Sequence, residues 1–324
     1  MNIITDERKQ QLKDMLFERG ATKKMIADLD IQELIFLIAS MNECTDKNVG
    51  FNMDDSKELI YKSITTKLAS LPEYFLIIGA STNGPFIHEN YADIFTCEEF
   101  AEDAVKQYSA RGIQCSVYKV SADKTGLPEN IDIFTYFYYL GIKYILVDST
   151  RYGIAVKRNE VLSKAQIKKE NLFGCDIENP AMRFAVSNFY SSVNNKDALG
   201  ISDERLKNLE YHMIYETANA KYLVPVKYKG EKPSDNDFEK NRHLLSMARV
   251  NIENRGDMLT VFTDKMEFDK GNTDGWDYIT LDFATLCTIG GCNGIVINIM
   301  SERLSIDHKT MASIRDNAKK IAKK

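Results

Sequence analysis

The stretch best suited to holding a phosphate is Gly79-Ala80-Ser81-Thr82-Asn83-Gly84, whose glycines follow an apolar strand at the spacing of a phosphate loop. Such a loop needs a lysine next, to reach the phosphates, and a hydroxyl for magnesium. Pro85 and Phe86 follow instead, and the next element reads as extended, so the helix N-terminus that would hold the anion is missing. His88, His212, His243 and His308 lie far apart, outside any HExxH or paired-cysteine context. A metal centre would therefore have to be assembled wholly by folding. His88, beside Glu89, reads as a solvated turn residue. Glu98, Glu99, Glu102 and Asp103 could form a carboxylate pair, but they occupy the first two turns of a helix, where the dipole favours negative charge. Cys287 and Cys292 have the wrong spacing for a zinc knuckle and read as small buried hydrophobes. Gly290, Gly291 and Gly294 precede a strand, the reverse of the dinucleotide-binding order, and read as a helix C-cap and a tight turn. No GxSxG nucleophile motif occurs. The sequence assigns no catalytic residue, no cofactor and no metal site.

The elements that must carry these residues belong to a globular chain. Of 324 residues, 44% are hydrophobic and 27% charged, a composition that supports packed cores and a length that allows two domains. No run reaches the roughly 18 apolar residues of a membrane span, and the polar start Met1 to Arg8 lacks a secretory core, so a cytoplasmic location is expected. The six scattered cysteines suggest no disulfide framework. A net charge of −5 argues against a broad nucleic-acid footprint. Lys319, Lys320, Lys323 and Lys324 read as cations favoured by a helix C-terminus.

In chain order, the first 54 residues read as an N-terminal helical region. Asp30 with Glu33 forms a capping box before Ile31, Leu34, Ile35, Leu37 and Ile38. A polar loop over Asn42 to Met53 leads to a helix opened by Asp55 and Glu58, with Ile60, Ile64 and Leu68 as one stripe. Tyr74 to Ile78 is a strand, Phe86–His88 and Asp93–Phe95 make a hairpin, and Thr96 caps a helix with Glu99 at its third position. Ile113, Cys115 and Val117 alternate as a half-buried strand does. A loop around Gly126-Leu127-Pro128 leads to an aromatic helix from Ile131 to Leu140. Later, Ser202 caps a helix, Lys227 to Arg242 is a charged insert, and Asn254-Arg255-Gly256-Asp257 turns a hairpin.

The chain also repeats itself. Residues Gly141 to Leu162 lie over Gly291 to Ala312 without a gap, pairing Ile145 with Ile295, Val147 with Ile297, Asp148 with Asn298 and Val156 with Ile306. Ile94-Phe95-Thr96 likewise matches Val261-Phe262-Thr263. An internal duplication explains the agreement. It predicts an α/β (mixed α+β) fold of two tandem related modules, each a mixed sheet with helices. The expected parts are a helical region 1–54, a first module 55–170, a connecting segment 171–201 and a second module 202–324.

The run Tyr222-Leu223-Val224-Pro225-Val226, then Leu259 to Asp264, then Gly291 to Asn298, then Leu304-Ser305-Ile306 resembles the SseB N-terminal-type domain, a bacterial family. The resemblance covers about 222–312 and, more weakly, 74–162. It departs from the family pattern at Ile299, where proline usually follows the asparagine, and the first copy has Ile77 and Cys97 in place of Pro225 and Asp264. The resemblance implies an α/β module often joined to others, and it carries no catalytic residues to transfer.

Overlaying IFTYFYYL (133–140) on FATLCTIG (283–290) leaves Phe134 and Tyr138 as aromatics where the second copy has Ala284 and Thr288. They stand four residues apart on one helical face; an exposed pair would mark an interaction surface, and the alternative is that the N-terminal helices cover it. The sequence thus favours a non-catalytic interaction or scaffold protein with an unidentified protein partner, and it leaves self-association open. The alternative is an enzyme or small-ligand binder with a site between the modules.

Overall fold

Thr5 accepts the Arg8 amide and starts helix α1 (Asp6–Arg19), and Thr22 does the same for α2 (Lys23–Ala27). The capping box of Asp30 and Glu33 is formed as expected at the head of α3 (Ile31–Glu43). Helix α4 (Met53–Leu68) starts earlier than Asp55, because the Asn52 side chain accepts the amides of Asp54 and Asp55. The computed structural model describes residues 4–44, 50–121, 131–170, 173–233, 238–271 and 273–321. The expected loop at 126–128, most of the polar loop at 45–49, part of the charged insert at 234–237, and Lys323 and Lys324 lie outside them. No helix among the described residues is long and apolar enough to cross a membrane.

The chain has the mixed α/β character expected and divides into two compact units. The first runs to residue 169, apart from 81–84 and 139–141, which group with the second. These boundaries differ from the expected ones. Helix α3 packs along α4 inside the first unit, so 1–54 is not a separate region, and the segment 171–201 belongs to the second unit.

In the first unit the strands are β1 (Glu73–Gly79), β2 (Gly84–Pro85), β3 (Ile87–His88), β4 (Tyr91–Phe95), β5 (Cys115–Ser121), β6 (Tyr144–Val147) and β7 (Ile154–Lys157). Helix α5 (Glu98–Ala110) joins β4 to β5, α6 (Ile133–Tyr139) precedes β6, and α7 (Arg158–Val161) and α8 (Lys164–Glu170) follow β7. The spine of the sheet is β5-β1-β4-β6-β7. Only β4 and β6 are parallel, and the other neighbours on this spine run antiparallel. Leu76, Ile94, Ile145, Val147 and Val156 bury their side chains in it.

The second unit opens with α9 (Pro180–Asn194), α10 (Lys196–Leu199) and α11 (Asp203–Asn219), the last capped by Ser202 as expected. Strands β8 (Lys221–Tyr228), β9 (Leu245–Met247), β10 (Arg249–Ile252) and β11 (Gly256–Val261) follow, with α12 (Phe238–Asn241) before β9. Then come α13 (Lys265–Lys270), β12 (Asp277–Asp282), α14 (Phe283–Leu286), β13 (Gly294–Ile297), β14 (Leu304–Asp307) and α15 (His308–Ile321). Strand β12 pairs antiparallel with β8, β11 runs parallel to β13, and β13 runs antiparallel to β14. Leu223 and Phe262 exchange both backbone hydrogen bonds, at 2.8 and 2.9 Å, and so tie β8 to the end of β11. The first unit's spine is therefore reproduced in order and direction. Even the register agrees: Ile145 faces Val156 as Ile295 faces Ile306. Gly294 at the head of β13 is obligatory, since a Cβ there would lie 2.1 Å from the Ile306 carbonyl oxygen.

The leading helices follow the same plan. Ile31, Gln32, Leu34 and Ile35 of α3 are buried in the pattern of Met182, Arg183, Ala185 and Val186 of α9, and α9 packs along α11 as α3 does along α4. In each unit the tyrosine near the start of the next strand bonds back to the preceding helix end, Tyr74 to the Leu68 carbonyl and Tyr222 to the Thr217 carbonyl.

Phe134 and Tyr138 are buried, at 3% and 6% exposure. Tyr74 meets the Phe134 ring edge-on at 5.7 Å, and the Arg158 guanidinium and Lys164 ammonium lie over the Tyr138 ring. The overlay misled because α6 is apolar around nearly its whole circumference, as an enclosed helix is, whereas α14 is a single turn.

Candidate binding pocket

In both units the two parallel strands end side by side, and the residue after the second strand reverses the chain. In the first unit that residue is Asp148, with φ of 51°, a left-handed conformation that short polar side chains tolerate. Its N–H donates to the Ile94 carbonyl at 3.0 Å. Its carboxylate accepts the Thr96 N–H and the Thr96 hydroxyl, each at 2.8 Å. Gln32, from α3, donates its amide to the same hydroxyl at 3.3 Å. Thr96 was expected to cap α5, but its side chain is committed to Asp148, and the N-cap position falls to Cys97, which makes no capping bond. Asp148 is 2% exposed. Burial pushes its carboxyl up from 3.8 to about 6, against the two bonds from Thr96, and Asp30 acts in the same direction as burial.

Over this network opens a cavity of about 410 Å³, within the size range of small-molecule sites. Gln32 and Asp148 are its most buried polar groups, Ile4, Ile35, Phe100 and Tyr152 supply apolar and aromatic surface, and Lys9 and Arg151 bring two cations. The cations stand at the wetter end, their side chains 29% and 37% exposed. Arg151 lies 4.8 Å over the Phe100 ring and donates to Asp103 at 3.1 Å, which fixes its position. Every lining residue belongs to the first unit.

The second unit builds the same framework and places an ion cluster beside it. Asn298 repeats φ of 51°. It donates its N–H to the Val261 carbonyl and accepts the Thr263 N–H at its side-chain oxygen, both at 3.0 Å. Its amide nitrogen donates to the Thr263 hydroxyl and to Glu302, each at 2.8 Å. Arg183 of α9, only 1% exposed, stands where Gln32 stands in the first unit. Its guanidinium donates to Glu302 at 2.8 Å, Glu267 at 2.9 Å and Asp264 at 3.3 Å. By the shared framework, Glu267 takes the place of Phe100 and Glu302 that of Tyr152. Five residues that line the first unit's cavity thus correspond to Arg183, Glu267, Asn298, Ser301 and Glu302, the last of which also lines a smaller pocket of about 280 Å³ with Val186 and Arg255.

Two carboxyls of this cluster shift in opposite directions. Burial pushes the Asp264 carboxyl up, only partly countered by Arg183. At Glu267 burial also acts upward, but Arg183 and Lys270 outweigh it and hold the carboxyl below its usual value.

No protein-family model, curated protein or solved structure matches the chain. The functional reading therefore rests on the residues themselves.

Of the stretches singled out in the sequence, Gly79–Gly84 leads into extended β2 rather than a helix. His88 sits half-buried in β3, and Glu89 and Asn90 form the turn with positive φ. Glu98 and Glu99 lie in the first turn of α5, and Asp103 pairs with Lys106 and Arg151. Cys287 and Cys292 are half-buried rather than enclosed. No group of three or more His, Cys, Asp or Glu able to hold a metal ion occurs among the described residues. Sequence reasoning missed Gln32, Asp148, Arg151 and Arg183 as a set. The one available signal was the alignment of Asp148 with Asn298, a polar position that both copies keep after an apolar strand.

Proposed function

We propose that the chain is a non-catalytic binding protein made of two related modules, of which the first takes a small ligand and the second is closed by its own arginine. The observation that carries this reading is the cavity over Asp148, at the position where the second unit places Arg183 and its carboxylates. A cavity with a buried polar end and a largely apolar wall is the usual form of a small-molecule site. The matching strand order, register and left-handed Asx residues support an internal duplication that includes the helix pairs α3–α4 and α9–α11. On the sequence resemblance alone we also propose a module of the SseB N-terminal type, in a cytoplasmic bacterial protein. The protein-partner reading loses the candidate surface at Phe134 and Tyr138, which are buried.

The test is a ligand-detected NMR screen of small molecules against the full chain and against Gln32→Arg, which installs the second unit's guanidinium in the cavity. Hits lost in a folded Gln32→Arg variant support the proposal. Ile35→Phe, which fills the cavity without charge, should lose the same hits. If every hit survives both variants, the pocket is not the site.

A further inference from the structure

We infer that the ligand of the first unit is a small zwitterion of the amino-acid type, its positive nitrogen toward Asp148 and its carboxylate toward Lys9 and Arg151. The inference rests on the binding function proposed above and adds the ligand's chemistry.

Three observations lead to it. The cavity separates its charges: the acid is deep, at 2% exposure, and both cations are at the wetter end. Lys9 and Arg151 already pair with Asp6 and Asp103, at 2.8 and 3.1 Å, so a ligand carboxylate would join those pairs, and a ligand with one charge would engage only one of the two kinds of group. In the second unit the corresponding space holds a positively charged nitrogen group, the guanidinium of Arg183. The first unit has lost the three carboxylates that hold that guanidinium, with Cys97, Phe100 and Tyr152 in their places. In exchange it carries a carboxylate, Asp148, where the second unit has the neutral Asn298.

One carboxylate suits an ammonium better than a guanidinium, which presents a planar fork of five donors. Between the charged ends, Ile4, Ile35 and Phe100 offer apolar surface to a hydrocarbon side chain. Arg151 is held over Phe100 by its bond to Asp103, so its remaining donors are positioned to meet a carboxylate with little loss of side-chain freedom.

Titration calorimetry of the full chain decides the matter, with L-phenylalanine and L-leucine as probes. Phenethylamine and 3-phenylpropionate are the analogues lacking one charge each. The expected result is that at least one amino acid binds about tenfold or more tightly than either analogue. Gln32→Arg should abolish that binding. Asp148→Asn should weaken the amino acid and phenethylamine by about tenfold and leave 3-phenylpropionate unchanged. Asn298 shows that this framework accepts asparagine, so the variant should fold. An analogue that binds as tightly as the amino acid and is lost in Gln32→Arg would overturn the zwitterion while leaving the pocket intact. Binding of neither amino acid also overturns it, and the screen described above then judges the pocket separately.

Discussion

Replacing Asp148 with asparagine should stabilise the first unit at neutral pH and do nothing for it in acid. Burial raises the folded-state carboxyl from 3.8 to about 6, so between those values the folded chain holds a proton that the unfolded chain has released. Stability from this group is therefore greatest below pH 4 and falls as pH rises through 6. At about 1.4 kcal/mol per pH unit, the interval comes to about 3 kcal/mol. The asparagine of Asp148→Asn would keep the bond from the Thr96 amide and carry no charge to desolvate, as Asn298 does. Urea unfolding of wild type and variant at pH 4 and pH 7, followed by hydrogen exchange of β1 and β6, measures the difference. The variant's advantage should grow by about 3 kcal/mol between the two conditions. Trp276, the single tryptophan, lies in the second unit, and its fluorescence transition should stay put. An advantage that does not change with pH, or that shrinks as pH rises, would refute the reasoning.

The second unit should respond oppositely. Asn298→Asp would set a new carboxylate against Glu302, and the loss, on the order of 3 kcal/mol at pH 7, should shrink at pH 4 when read by Trp276 fluorescence. Arg183→Met should cost about 3–5 kcal/mol, because Asp264 and Glu302 would stay buried without their cation and Glu267 would keep only Lys270. Arg183→Lys should recover only part of this, since one ammonium cannot reach three carboxylates as the guanidinium fork does. Phe134→Ala should destabilise the first unit by about 3–5 kcal/mol, as a core phenylalanine does, measured by thermal unfolding. A loss below about 1 kcal/mol would return that ring to the surface.

Much of the framework was legible in the sequence because its signals are local. The capping box at Asp30, the hairpin turn at Asn254 and the strand pairs around Ile145 and Ile295 each depend on residues within a dozen positions. The misreadings share one cause. Thr96 has the sequence of an N-cap, yet its hydroxyl answers to Asp148, which lies 52 positions away. Phe134 and Tyr138 have the spacing of an exposed stripe, but Tyr74, Arg158 and Lys164 cover them. The pocket was invisible because its lining comes from four separate segments, at 4–9, 32–35, 100 and 148–152. Arg183 was missed for the same reason: on α9 it is one basic residue, and only the fold brings it to Asp264 and Glu302.

Arg183 is in effect a tethered ligand. A group fixed on a neighbouring helix has an effective concentration in the millimolar range or above, so the second unit behaves as a site that never empties. Cutting that tether turns occupancy into a controllable variable. An Arg183→Gly chain supplied with free guanidinium should regain stability as the ion fills the vacated position, along a saturation curve. The midpoint of that curve would measure how strongly this framework holds a cation when no covalent bond delivers it.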